Sequence, residues 1–181
     1  MDSVLTREEL QEVLGQIFLG VTEQVAGIRL YPRRDIPDVE LCTVYTVFAR
    51  GFQSSLGLSG ENAVFRRLTC HMMQQEEVTD RDIADFTQEY FNVLCGRVAT
   101  VMFENTRVAS RFGIPSFFQG TGIPQGQREH FTLHFISDRG EYVKLTHYTP
   151  LDRAPACGPD MPCGRSADAP PCGQGPAVSD R

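Results

Sequence analysis

The sequence predicts an α+β fold in which a largely antiparallel sheet packs against long helices on one face. Two observations support this prediction. Long segments repeat apolar residues every three or four positions, while shorter segments alternate apolar and polar residues and are rich in Val, Thr, Tyr and Phe. These segments come in the order helix, strands, two helices and strands, which is typical of α+β domains with helices on one side of the sheet.

The first long helix is predicted over residues 6–26. Thr6 followed by Glu9 forms a capping-box signal, in which each side chain bonds the backbone N–H of the other residue. The apolar residues that recur at helical spacing behind this cap are Leu10, Val13, Leu14, Ile17, Phe18, Val21 and Val25. A short strand is predicted next, over residues 28–31.

Two further strands and a second helix are predicted to follow. Residues 40–48 are rich in Val, Thr, Tyr and Phe, which favours a strand. The next strand is expected over residues 50–58, with a turn near Gly51. Ser59 is then predicted to cap a helix over residues 60–73, because a serine side chain can accept a bond from a free N–H of the first turn.

The longest helix is predicted to begin at Thr79 or Asp80 and to end near Asn105. Asp80 and Asp82 lie in its first turn, where negative charge is favourable at the positive end of the helix dipole. The strands predicted after this helix cover residues 108–112, 131–136 and 141–148. The last two are separated by an Asp-Arg-Gly sequence at 138–140, which is a hairpin turn signal.

Residues 1–150 are expected to form one domain, because the composition changes after them. Residues 151–181 are dominated by Pro, Gly, Ala, Ser and Asp and contain almost no large apolar residues. Such a segment buries too little surface to offset the loss of chain entropy on folding, so we predict a disordered tail.

Charge and hydropathy exclude several classes of function. The formal net charge is −6 and the basic residues form no patch, so a nucleic-acid partner is not expected. No apolar run approaches the roughly 18 residues of a membrane span. The first residues lack the basic region and apolar block of a signal peptide. We therefore expect a cytoplasmic protein without membrane insertion.

The longest predicted helix carries an unusual stripe of residues. Its members fall at i, i+4, i+7, i+11 and i+14, and they are Asp85, Glu89, Asn92, Gly96 and Ala99. The apolar residues on the opposite side of this helix are Ile83, Phe86, Tyr90, Leu94, Val98 and Val101. Because that side already provides a core face, the stripe indicates a surface that docks against another macromolecule. A merely solvated helix face is the alternative interpretation.

The residues that carry a resemblance to a known family are Asp85, Glu89, Asn92, Gly96, Pro115 and Gly120. They resemble the signature of the CheC/CheX/FliY class of chemotaxis phosphatases, in which Asp or Ser precedes Glu-x-x-Asn and a Pro follows a little over twenty residues later. The motif occurs once in this chain, which resembles CheX rather than CheC, where two copies are typical. The predicted element order over residues 5–149 is compatible with the family fold.

The resemblance implies a phosphatase that hydrolyses the aspartyl phosphate of a CheY-like receiver domain. It implies that Asn92 and Glu89 are catalytic: Asn92 would hold a water in line with phosphorus, and Glu89 would pair with the receiver's Lys. Asp85, Gly96 and Ala99 would contact the partner. The Mg²⁺ would be supplied by the receiver, and no cofactor of the chain's own is implied. Since single-site members commonly pair through sheet edges, a homodimer is also implied.

A non-catalytic module of the same fold is the alternative function. Such a module would bind a receiver or a motor-switch component without hydrolysing the phosphate. The presence of both Glu89 and Asn92 favours the enzyme, because a pure binder does not need an amide that positions water.

Histidines of the predicted hairpin offer a second candidate site. His130 and His134 share one face of a strand, and His147 lies on the partner strand. Three histidines could ligate a metal if the register aligned them, but the turn length leaves that register open. We favour ordinary sheet histidines.

The cysteines fall into two groups. Those of predicted core elements, expected to be buried and reduced, are Cys42, Cys70 and Cys95. Those of the tail are Cys157, Cys163 and Cys172. The tail spacings fit no common zinc finger, so an unrelated α+β domain with a metal-binding tail is a weaker third interpretation.

Overall fold

The computed structural model describes residues 5–50 and 54–151. Within them, the helices are α1 (Arg7–Ala26), α2 (Asn62–Met73) and α3 (Asp80–Thr106). The strands are β1 (Leu30–Pro32), β2 (Cys42–Arg50), β3 (Ser55–Gly60), β4 (Arg111–Phe112), β5 (Ser116–Gln119), β6 (Gln127–Ser137) and β7 (Tyr142–Pro150). The predicted tail, apart from Leu151, lies outside the described residues, and so do its three cysteines.

The strands pair antiparallel throughout, in the order β1-β6-β7-β3-β2, with β4 and β5 on the remaining edge of β2. The β2–β3 register runs from Cys42 opposite Gly60 to Val47 opposite Ser55. On the other edge of β2, residues Cys42–Tyr45 pair with β5, and the end of β2 pairs with β4. The predicted antiparallel sheet is therefore confirmed.

The helices cover one face of this sheet. Val44, Leu58 and Leu145 are buried and belong to one hydrophobic core with residues of all three helices, among them Phe18 of α1 and Leu94 of α3. In a strand, alternate side chains point to opposite faces, so one set of strand residues meets the helices. The α+β architecture with helices on one face is confirmed. Within the described residues, no helix has the length and apolarity needed to cross a membrane.

Capping boxes fix the starts of both long helices. The Thr6 hydroxyl accepts from the Glu9 N–H while the Glu9 carboxylate accepts from the Thr6 N–H. Thr79 and Asp82 form the same reciprocal pair at the start of α3. These bonds satisfy N–H groups that have no partner inside a helix, and the predicted start of each helix is confirmed.

The prediction that Ser59 caps the second helix is wrong. Ser59 lies within β3, and its hydroxyl is 2.9 Å from that of Thr43 on the neighbouring strand. The helix begins at Asn62 after Glu61, whose carboxylate accepts from the Tyr142 N–H instead of capping α2. Pairing with strands on both sides extends β3 to Gly60, a non-local constraint that outweighs the local capping signal.

One strand was missed by the sequence prediction, and another is shorter than predicted. β5 lies between Pro115 and Gly120, residue types that favour a turn. It forms because β2 presents an unpaired edge to it. The strand predicted over residues 108–112 is reduced to the two residues of β4. The preceding helix α3 extends to Thr106.

Two of the three core cysteines are buried as predicted. Cys42 and Cys95 are buried free thiols, whereas Cys70 is half-buried. Burial raises the pKa of the Cys95 thiol, which keeps it protonated.

The three histidines of the β6–β7 hairpin do not converge on one point. His130 lies in a bulge of β6, with its Nδ1 atom 3.2 Å from the Nδ1 atom of His147. His134 instead has its Nδ1 atom 2.6 Å from the Tyr142 hydroxyl. Across residues 5–50 and 54–151, no three His, Cys, Asp or Glu side chains cluster as metal ligands would. The arrangement is that of sheet histidines.

His147 should make the fold less stable in mild acid. It is buried against Phe131, with ring centroids 5.1 Å apart. Burial, and then the charge of His130, lower the pKa of His147 from 6.5 to about 4. The unfolded chain therefore binds more protons between these values, so the stabilisation is complete above about pH 6.5 and is lost as the pH falls towards 4. The change amounts to at most about 3 kcal/mol.

Urea unfolding between pH 7 and pH 5 tests this expectation. The wild-type midpoint should fall with pH, and His147→Phe should flatten the slope while keeping a ring against Phe131. His71→Gln, at an exposed position of α2, is the control and should keep the wild-type slope. Equal slopes for wild type and His147→Phe would contradict the assignment.

Candidate functional site

Helix α3 presents the predicted stripe on its outward side. Asp85 and Glu89 are exposed, and Asn92, Gly96 and Ala99 are half-buried. The buried apolar residues of α3 are Ile83, Tyr90, Phe91, Leu94, Cys95, Val98 and Met102. Phe86 and Val101, which were predicted for the core side, are half-buried. The helix therefore has one side in the core and one that carries the stripe.

Glu89 and Asn92 are adjacent on this outward side. They are three residues apart on a helix, which brings Cβ atoms to about 5–6 Å of one another. Among the described residues, neither side chain has a hydrogen bond or an ion pair with another part of the chain. A carboxylate and an amide are thus neighbours whose bonding groups are not engaged by the described residues.

Asp85 has an ionic contact within the same helix. Its Oδ2 atom lies 3.7 Å from the Nε atom of Arg81, one turn earlier, and both side chains are largely exposed. Exposed pairs of this kind contribute little stability, so Asp85 can exchange Arg81 for another partner at low cost.

Nothing in the part of the chain that the structure describes requires Gly96 to be glycine. A Cβ atom built on it would meet no heavy atom within 4 Å, and its φ is not positive. Glycine inside a helix costs about 1 kcal/mol relative to alanine. The absence of a side chain therefore leaves a shallow depression in the outward surface beside Asn92. Ala99 packs partly against the core and adds little height to the stripe.

Two apolar residues on the outward side were missed by the sequence analysis. Val93 is 49% exposed and Phe103 is 43% exposed. Val93 follows Glu89 by four residues and Phe103 follows Ala99 by four, so each extends a row of the stripe. The helical spacing that identified the stripe would also have identified these residues. They give the polar surface an apolar margin.

Pro115 and Gly120 lie directly before and after β5 and not on α3. Pro115 is buried directly before the strand. Gly120 has a φ of 94°, and its carbonyl accepts from the Thr43 hydroxyl at 2.7 Å. β5 contacts α3, so the two residues bound a strand that supports the helix. Pro115 is buried, whereas Gly120 is exposed.

Comparison with known protein families shows which family this chain matches. A family model described as chemotaxis phosphatase CheX matches residues 42–136, which include all of the α3 stripe. No curated protein sequence matches the chain.

Solved structures of several chemotaxis proteins share the fold. CheX from Desulfovibrio desulfuricans is 14% identical with a TM-score of 0.61, and the match covers 77% of this chain and 97% of that one. CheX from Vibrio vulnificus is 16% identical with a TM-score of 0.60, covering 80% and 99%. A chain of the CheX-CheY-BeF3-Mg complex from Borrelia burgdorferi is 13% identical with a TM-score of 0.59, covering 79% and 98%.

Gly96→Ala should stabilise the protein. The substitution adds a methyl group that meets nothing in the structure and removes the excess backbone entropy of glycine, so the free energy of unfolding should rise by about 0.5–1 kcal/mol. Gly20 is the matched control, since it also lies inside a helix with open space around its Cβ position. Urea unfolding should show equal gains for the two variants. A loss of stability confined to Gly96→Ala would show a packing role for this glycine.

Proposed function

The chain belongs to the CheX family of chemotaxis phosphatases, and we propose that it hydrolyses the aspartyl phosphate of a CheY-like receiver domain. The observation that supports this most is that Glu89 and Asn92 are neighbours on the outward side of α3 and that neither has a hydrogen-bond or ion-pair partner among the described residues. Such side chains contribute nothing to the fold through hydrogen bonds, and their bonding groups remain available to a partner.

Asn92 is proposed to position the attacking water. Phosphoryl transfer passes through a loose transition state, so catalysis consists mainly of orientation and charge stabilisation. An amide donates and accepts hydrogen bonds and adds no negative charge beside the phosphoryl oxygens. Holding one water in line with phosphorus can contribute several kcal/mol to lowering the barrier.

Glu89 is proposed to fix the orientation of the receiver. Its carboxylate would pair with the Lys of the receiver's phosphorylation site, which sets the position of Asn92 relative to phosphorus. Asp85, one turn earlier, would add a second contact after leaving Arg81. Ionic contacts enclosed at an interface are stronger than exposed ones because water and salt screen them less.

The remaining outward residues are proposed to complete the docking surface. Gly96 and Ala99 would let the receiver approach the helix closely beside Asn92. The exposed side chains of Val93 and Phe103 would be covered on docking. Burial of apolar surface contributes roughly 25 cal/mol per Å². These two residues would therefore add affinity that does not depend on the charge of the partner.

The metal of the reaction is proposed to belong to the partner. A Mg²⁺ held by the receiver beside its phosphoryl group would neutralise charge there, while Asn92 would position the water and Glu89 would pair with the Lys. The Borrelia burgdorferi complex contains CheX, CheY, BeF3 and Mg, and BeF3 is a mimic of the phosphoryl group. A homodimer stays a prediction from the family resemblance.

Loss of phosphate from a phosphorylated, Mg²⁺-loaded receiver tests the proposal. The protein in catalytic amounts should accelerate the loss, and Asn92→Ala should lower kcat at least roughly tenfold because the water is no longer held in line. Glu89→Ala should raise KM and also lower kcat, because both docking and the position of Asn92 depend on its carboxylate. Glu104→Ala, an exposed acidic residue of the same helix, should keep wild-type kinetics.

Two outcomes would contradict the proposal. Unchanged phosphate loss for every receiver of the organism would contradict the proposed phosphatase activity. Full activity of Asn92→Ala would contradict the role assigned to Asn92. Binding of the phosphorylated receiver without acceleration would favour the non-catalytic module.

A further inference from the structure

A buried chain of hydroxyl groups joins α3 to α1 at the level of Glu89 and Asn92. The Tyr90 hydroxyl lies 2.6 Å from the Thr22 Oγ1 atom, and Thr22 Oγ1 donates to the Phe18 carbonyl at 2.6 Å. A threonine hydroxyl has one proton, and a carbonyl oxygen can only accept. The Thr22 proton is therefore committed to Phe18, and Tyr90 must be the donor to Thr22.

Among the residues that the structure describes, Thr22 is the hydrogen-bond partner of the Tyr90 hydroxyl. The Tyr90 side chain is fully buried, and burial raises the pKa of the phenol, so it stays a donor. The adjoining cavity is lined mainly by apolar side chains and has a volume of about 10 Å³, at the lower limit for holding one water molecule. In such surroundings a satisfied hydrogen bond is strong, and a donor without an acceptor is costly.

The proposed site is sensitive to rotation of α3 about its axis. Tyr90 lies between Glu89 and Asn92 in the sequence, and its inward direction fixes their outward direction. Rotating α3 by about 10° would move a side-chain end about 6 Å from the axis by about 1 Å. A misplacement of that size can reduce a rate by about 100-fold.

We propose that Tyr90 and Thr22 are positioning residues that set the rotation of α3 on α1 and thereby aim Asn92 at the phosphoryl group. The proposal rests on the proposed function and adds residues outside the α3 stripe to it. Burial of apolar side chains sets which side of α3 faces the core, but the hydrophobic effect itself is non-directional. The hydroxyl chain supplies the directional constraint.

A double-mutant cycle with Tyr90→Phe and Thr22→Val tests the hydroxyl chain. Thr22→Val should lower the urea midpoint more than Tyr90→Phe, because it leaves a buried donor without an acceptor. Adding Tyr90→Phe to Thr22→Val should restore part of the loss, since both partners are then apolar. Additive losses in the double variant would overturn the inferred bond.

Steady-state kinetics with the phosphorylated receiver separate positioning from a merely structural role. Tyr90→Phe should lower kcat roughly tenfold while KM changes less than about twofold. The side chains that contact the receiver remain, but Asn92 is displaced from its position relative to phosphorus. The controls are Thr69→Val, which breaks the same type of buried hydroxyl–carbonyl bond in α2, and Tyr142→Phe, which removes a hydrogen-bonded hydroxyl from β7. Both should keep wild-type kcat. Wild-type kcat in Tyr90→Phe would overturn the proposal.

Residual dipolar couplings give a readout that does not depend on activity. Tyr90→Phe should change the orientation of the α3 N–H vectors relative to those of α1, and Tyr142→Phe should not. Unchanged couplings in Tyr90→Phe would overturn the positioning role even if kcat fell. If the wild-type protein accelerates no phosphate loss, the proposed function fails and the couplings alone decide whether Tyr90 sets the rotation of α3.

Discussion

The burial of Tyr90 and Phe91 is the constraint on which the rest of the site depends. Both side chains are fully enclosed between α3 and the remainder of the core. Because successive residues of a helix advance by about 100°, two adjacent inward residues force their neighbours Glu89 and Asn92 outward. The bulky residues between Glu89 and Asn92 therefore help to define the exposed face of α3. The sheet and α1 in turn provide the surface that holds them.

The packing of α3 holds the backbone of Glu89 and Asn92 in a fixed position. The capping box at Thr79 fixes the start of α3, and its inward side is held along most of its length. Polar side chains on a packed helix keep their geometry better than side chains on a loop. The partner is proposed to bring the phosphate, the Mg²⁺ and the Lys. This chain then needs only a carboxylate and an amide in fixed relation, together with a low surface around Gly96.

Sequence could predict the features that depend on neighbouring residues. The two capping boxes, the helical spacing of α1 and α3, and the turn at Asp138-Arg139-Gly140 are local patterns, and each is present in the structure. The stripe of α3 follows from the same spacing. The family resemblance depended on these residues as well, and the match to the CheX family model confirms it.

Features that depend on distant contacts could not be predicted in this way. β5 exists because β2 has a free edge, and Ser59 belongs to a strand because partners on both sides extend it. The Tyr90 hydroxyl meets that of Thr22 across 68 residues of sequence. No local pattern indicates that pairing, although Tyr90 was correctly assigned to the inward side. The contact that aims the motif thus becomes visible only in three dimensions.

The most direct test of the central claim observes the Asn92 side chain itself. A receiver loaded with Mg²⁺ and beryllofluoride, which mimics the phosphoryl group, would be titrated into isotope-labelled protein while side-chain amide resonances are recorded. The Asn92 resonances should shift with the stoichiometry of binding, and those of Asn105, near the end of the same helix, should not. Binding that leaves Asn92 unchanged and perturbs another surface would contradict the assignment of α3 as the site that acts on the phosphate.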